Sequence, residues 1–155
     1  MMSRRIAVLA LAALSYGCSD DADSTPPLFP DDYQTSYVEV RNCRPSGDHE
    51  LNNIRILAAP DALVSYRDRT ENFSEGAVVL KEEYEFDDRD CLGEVKQWTV
   101  MRKLADGTDP SALDWDWQKV DGAGVVVEEN TPSCFGCHTG CGSAPDGFDG
   151  TCAVP

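Results

Sequence analysis

Positive charge is scarce in this 155-residue chain. Thirteen Lys and Arg stand against 28 Asp and Glu, for a formal net charge of -15 at pH 7. That balance argues against nucleic acid and against any anionic partner surface. Long apolar runs are missing as well. The one candidate, residues 6–14, falls far short of the ~20 residues that span a bilayer. Helical periods of ~10–15 residues are also lacking, which argues against a four-helix bundle. No internal repeat is evident. Histidine and methionine are rare: beyond Met1 and Met2 the sequence holds Met101, His49 and His138.

The N-terminus does carry a signal. Arg4 and Arg5, the apolar run 6–14 and the small residue Gly17 read as an export signal over residues 1–17. Ser15-Tyr16-Gly17-Cys18 resembles a bacterial lipobox, with Cys18 as the lipidated residue, although Leu14 sits four rather than three positions before it. Cleavage would remove Arg4 and Arg5 and make the mature chain more acidic still. Residues 18–32 then read as an acidic tether. Asp20, Asp21, Asp23, Asp31 and Asp32 repel one another, Pro26, Pro27 and Pro30 prevent helix, and no core contribution is expected. The expected location is an exported lipoprotein facing the periplasm or surface of a bacterium, touching the membrane through its lipid alone. Residues 33–155 are enough for one domain.

Near the C-terminus stands Cys134-Phe135-Gly136-Cys137-His138. Two thiols three residues apart, followed at once by an imidazole, form the pattern for covalent haem attachment. Each thiol adds to one vinyl group, and His138 reaches the iron from the proximal side. One haem c is therefore the expected cofactor. Of seven cysteines, Cys18 is assigned to lipid and Cys134 and Cys137 to haem. Cys43, Cys91, Cys141 and Cys152 remain, an even number that suits disulfides in an oxidising compartment. Three pairings are open, of which Cys43–Cys91 with Cys141–Cys152 is preferred; a zinc site on these thiols is the rival.

Between the two ends, alternation predicts strands at 37–41, 54–59, 76–86 and 95–104, and a hairpin of 115–120 and 124–129 about Asp121-Gly122-Ala123. In the 76–86 strand Val78, Leu80, Tyr84 and Phe86 share a face that only Glu82 interrupts. Pro60-Asp61 starts a short helix through Tyr66. The haem motif falls in a loop or short helical turn. The fold class is α+β, mostly antiparallel β.

Gly76-Ala77-Val78-Val79-Leu80-Lys81-Glu82-Glu83-Tyr84, then Trp98-Thr99-Val100-Met101-Arg102-Lys103, then Asp114-Trp115-Asp116-Trp117, then the haem motif, resemble the cytochrome P-460 family, which includes cytochrome c′-beta. The resemblance covers residues 33 to the C-terminus. It implies a mostly β single-haem domain, often a homodimer, with five-coordinate iron on the histidine of the motif, here His138. It also implies either binding of small gases such as nitric oxide or oxidation of hydroxylamine. The hydroxylamine-oxidising members bear a lysine cross-link to the haem ring, and Lys81 lies in the matching strand. The four remaining cysteines and the tether depart from the family pattern.

The sixth iron position separates the functions. A permanent ligand would have to be His49, which sits in a polar loop and reads as a surface histidine, or Met101, which reads as core. Their scarcity points to an open distal site. Tyr84, Phe86, Trp98, Trp115 and Trp117 are the large residues available to line it. Glu128, with Glu129 beside it, lies at the strand end leading into the motif, where a carboxylate could take a proton from a bound ligand. The leading expectation is a c-haem domain that binds a small gaseous or nitrogenous ligand. The alternatives are a hydroxylamine-oxidising enzyme using Lys81 and Glu128, and a mono-haem electron carrier with a redox protein partner.

Overall fold

The computed structural model describes residues 25–145 and 147–152. Six strands form one antiparallel sheet in sequence order: β1 (Val38–Pro45), β2 (Asn53–Ala58), β3 (Val78–Tyr84), β4 (Gln97–Lys103), β5 (Trp115–Asp121) and β6 (Val126–Glu129). Three short helices accompany them: α1 (Tyr33–Ser36), α2 (Leu63–Asp68) and α3 (Pro132–His138). Every expected strand is present, as is the helix after Pro60, and the haem motif occupies α3. Among the described residues no helix is long and apolar enough to cross a membrane.

Period-two alternation gives the sheet two apolar faces. On one face Ile54, Ile56, Val79, Met101, Trp115 and Trp117 pack with Tyr66 of α2 and with Phe73, and partly buried Cys134 and Phe135 of α3 join them. On the other, Leu57, Val78, Leu80 and Val100 pack with Tyr33 of α1. β3 is the central beneficiary: six of its seven residues are buried, because both of its faces are covered.

Glu82, the apparent interruption of β3, is fully buried on the second face. Its carboxylate accepts hydrogen bonds from the hydroxyls of Tyr33 and Tyr84, each at 2.8 Å, and pairs with Arg55 across β2 at 2.6 Å. A buried carboxylate is tolerated where a cation and O–H donors replace its water.

The tether expected through Asp32 ends earlier than that. Leu28 and Phe29 pack on the second face, Phe29 edge-on to Tyr33 with ring centroids 5.2 Å apart. The Leu28 N–H donates to Oε1 of buried Gln118 at 2.9 Å, and Gln118 returns a hydrogen bond to the Pro26 carbonyl at 3.2 Å. The reason is local: apolar Leu28 and Phe29 interrupt the acidic run, and the buried amide of Gln118 needs partners. The signal at 1–17 and Cys18 lie outside the described residues.

Two disulfides, Cys43–Cys91 and Cys141–Cys152, are formed, the preferred pairing. They consume the thiols that the rival zinc site required. Cys43–Cys91 ties the long β3–β4 connection to edge strand β1 across β2.

Candidate functional site

Pro132 opens α3, where its missing N–H costs nothing and its fixed φ suits a first turn. On this helix Cys134, Cys137 and His138 stand at i, i+3 and i+4, so they share a face. That face borders a cavity of about 710 Å³ against the sheet, within the ~300–1,000 Å³ range of cofactor sites. Cys134 and Cys137 are free thiols, unlike the four disulfide-bonded cysteines.

His138 is fixed in orientation. Its Nδ1 lies 2.6 Å from the Gly150 carbonyl, which can only accept, so the proton sits on Nδ1 and Nε2 keeps its lone pair. The ring also stacks at a tilt on Trp117, centroids 4.6 Å apart. Burial pushes its pKa down to about 4 against the pull of the Gly150 hydrogen bond, and the positive charges of Lys81 and His49 lower it further. A neutral imidazole with one nitrogen tied to a carbonyl is what a haem iron requires of its proximal ligand.

The opposing wall is built by the same-face residues of the sheet. Lys81 projects from β3 between Ile56 and Thr99 on its neighbours. Burial pushes its pKa down to about 8, against the attraction of Glu83 and Asp48. Two residues on, Glu83 is fully buried. It accepts hydrogen bonds from Asn52 at 3.0 Å, Gln97 at 2.8 Å and Thr99 at 3.1 Å, and meets His49 Nδ1 at 3.2 Å. Burial alone would raise its pKa, but these donors and the charge of His49 bring it down to about 2. His49 Nε2 in turn contacts Lys81 Nζ. The result is a Glu83–His49–Lys81 chain ending in the cavity.

His49 is thus no surface histidine. The β1–β2 loop turns back through left-handed Glu50 and Leu51 and is closed by the Ser46 N–H on the Asn52 carbonyl at 2.9 Å. That fold carries His49 over the sheet onto Glu83. Met101 is buried in the core and also borders the cavity.

The aromatic residues divide. Trp117 lines the cavity. Trp115 is on the same side but packs against Phe73, centroids 5.1 Å apart. Tyr84 and Trp98 belong to the opposite face, where Tyr84 serves Glu82 and Trp98 donates to the Tyr33 hydroxyl at 3.0 Å. Phe86 lies beyond the end of β3 and is 62% exposed, since the strand stops at Tyr84. None of these three lines the cavity. The two acids also part. Glu128 stands at the cavity rim, accepts from Thr131 at 3.2 Å and lies 3.9 Å from Lys119. Glu129 points away to Thr25 and Gln118.

Among the described residues, three polar atoms around the cavity are buried without a partner: Arg41 Nε, Tyr66 Oη and Trp117 Nε1. Unsatisfied donors of this kind suit a bound group with anionic edges, and Arg44 on the same wall adds positive charge. The free thiols, the oriented imidazole, the cavity and these donors together fit a haem.

Sequence reading missed Glu83 and misplaced His49. For Glu83 a signal existed, because it shares a strand face with Lys81. For His49 none did, since only the return of the loop brings it inward.

No match is found among curated proteins. A model of the Cytochrome P460 family matches residues 30–145, three quarters of the chain and every strand of the sheet. The chain therefore belongs to the cytochrome P460 family and is a haem cytochrome.

Proposed function

We propose that the domain carries one haem c, bonded through thioethers to Cys134 and Cys137, with His138 Nε2 as proximal ligand and the distal position open to a small gaseous or nitrogenous ligand such as nitric oxide. The observation that carries this reading is the shared face of the two free thiols and His138 over the cavity, with His138 Nδ1 committed to Gly150. The open distal site is supported by the state of its two rivals. His49 is engaged at both ring nitrogens, and Met101 is held in the core cluster. Arg41, Tyr66 and Trp117 would hold the polar edges of the macrocycle, and Ile54, Ile56 and Val79 its apolar area. When bound, the haem supplies the iron that ligates the small molecule and exchanges electrons with it.

A second reading, oxidation of hydroxylamine or a related nitrogen compound, is favoured by the chain ending at Lys81. A protic ligand that loses electrons must also lose protons. Glu128 at the rim is the group able to accept them, and Lys81, held by His49 and Glu83, is the lysine available for a cross-link to the ring.

The reading extends to location. Two disulfides suit an oxidising compartment, in line with an exported lipoprotein anchored through Cys18. The acidic surface suits a basic redox partner.

The deciding measurement is the visible and electron-paramagnetic spectrum of protein matured with the c-type assembly machinery. A high-spin five-coordinate ferric signal that shifts on adding nitric oxide is expected. A low-spin six-coordinate signal defeats the open site, and colourless protein defeats the haem. Peptide mapping that finds Lys81 unmodified, together with no turnover of hydroxylamine, removes the second reading.

A further inference from the structure

The family match ends at residue 145, yet the residues beyond it fold back onto the histidine of α3. Gly150 stands between them. Its carbonyl accepts from His138 Nδ1 at 2.6 Å, and its N–H donates to the Cys141 carbonyl at 3.2 Å. The Cys141–Cys152 disulfide closes this loop around it, with Cys152 Sγ only 3.9 Å from His138 Nδ1. Phe148 and Thr151 exchange backbone hydrogen bonds across the turn at 3.0 and 2.8 Å. The position requires glycine: φ is +88°, and an added Cβ would come to 3.1 Å from Trp115 Nε1.

The neighbouring residue fastens the loop to the sheet. The Asp149 carboxylate pairs with Lys103 Nζ at 2.8 Å and accepts the Phe73 N–H at 3.1 Å. Its carbonyl accepts from Trp115 Nε1 at 2.8 Å. Lys103 and Asp149 are nearly buried, with side chains 4% and 11% exposed, so water competes little for this pair.

We propose that this disulfide-closed loop, fastened by Asp149, is the device that positions His138 and sets its donor strength toward the haem iron, with Asp149 as a positioning residue. The proposal rests on the haem reading above. An imidazole that gives its Nδ1 proton to a fixed carbonyl is a stronger donor through Nε2 and is held in one orientation. Stronger donation favours the more positive iron, so the loop holds the potential down. A loose loop would leave Nδ1 to water, with weaker and less directed donation.

The test uses full-length pigmented protein. In D149A and in C141S/C152S the thioether cysteines are untouched. The ferrous iron–histidine stretching frequency is expected to fall and the midpoint potential to rise, toward a tenfold shift of the ferrous-to-ferric ratio, which for one electron is ~59 mV. D149N, which keeps the size but only one of the two acceptor oxygens that Lys103 and Phe73 use, is expected to restore both in part. C43S/C91S, which opens the remote disulfide, is expected to lower the melting temperature and move neither. Should C141S/C152S fail to accumulate, D149A and D149N carry the same comparison. Pigmented D149A with wild-type frequency and potential overturns the proposal, even if it melts early. Colourless wild-type protein instead overturns the haem reading on which it stands.

Discussion

At the scale of single residues, the core accepts buried His138 and Glu83 because hydrogen-bond partners hold each of them. His138 is held by Gly150 and stacked on Trp117. Cys134 and Cys137 are free thiols, while the other four cysteines among the described residues pair with one another. Replacing both with Ser is expected to abolish the haem-stained band on a denaturing gel, since no thioether can form. Glu83 carries a pH dependence. Its carboxyl titrates near 4.5 when unfolded and near 2 when folded. The depressed value means that its contribution is complete above pH 4.5 and is lost as pH falls toward 2, roughly 3 kcal/mol in all. E83Q should therefore be less stable at pH 7 but show a flatter stability profile between pH 4.5 and 2. Urea titrations at stepped pH will show whether the two profiles converge in acid. Profiles that stay parallel would mean that Glu83 is not held ionised by its donors.

At the scale of elements, β3 decides the arrangement. Its odd residues Val79, Lys81 and Glu83 face the cavity, and its even residues face α1. Both of its glutamates are buried, each by a different set of donors. Removing Arg55 strands the Glu82 charge, so R55M is expected to cost about 3 kcal/mol in denaturant unfolding, whereas E82Q, which leaves a partly exposed Arg55 that still has Glu39 at 3.9 Å and the Tyr84 hydroxyl at 2.9 Å, should cost less. The disulfides separate in the same assay. Loop-closure entropy predicts about 4 kcal/mol for Cys43–Cys91, whose cysteines are 48 positions apart, and about 3 kcal/mol for Cys141–Cys152, 11 positions apart. Opening Cys43–Cys91 should therefore be the more destabilising change, while opening Cys141–Cys152 should be the one that alters the spectrum. These elements were largely legible beforehand. Alternation marks β2, β3 and β4, and Pro60 marks a helix start. Phe86 misled because alternation continues past the point where the strand stops.

At the scale of the whole molecule, the sheet is a wall with two sides. The segment from Thr25 to α1 covers one, and α2, α3 and the C-terminal loop enclose the cavity on the other. The net charge of -15 favours a dispersed protein and disfavours contact with an anionic surface. If Cys18 bears the lipid, C18S should move the protein from the membrane to the soluble fraction with its absorption spectrum unchanged. Retention of C18S in the membrane would argue against that anchor.

The amino-acid order by itself determined the haem motif, the strand alternation and the even set of remaining cysteines, because each is written in spacing along the chain. Only the tertiary structure decided which aromatic residues share a face with the motif, that Leu28 and Phe29 pack against the core, and that His49 links Glu83 to Lys81. Those facts depend on which surfaces meet across the sheet. His138 shows the division most plainly: its place after Cys137 is local, but its hydrogen bond to Gly150 exists because a disulfide and the buried Lys103–Asp149 pair bring a distant loop beneath it.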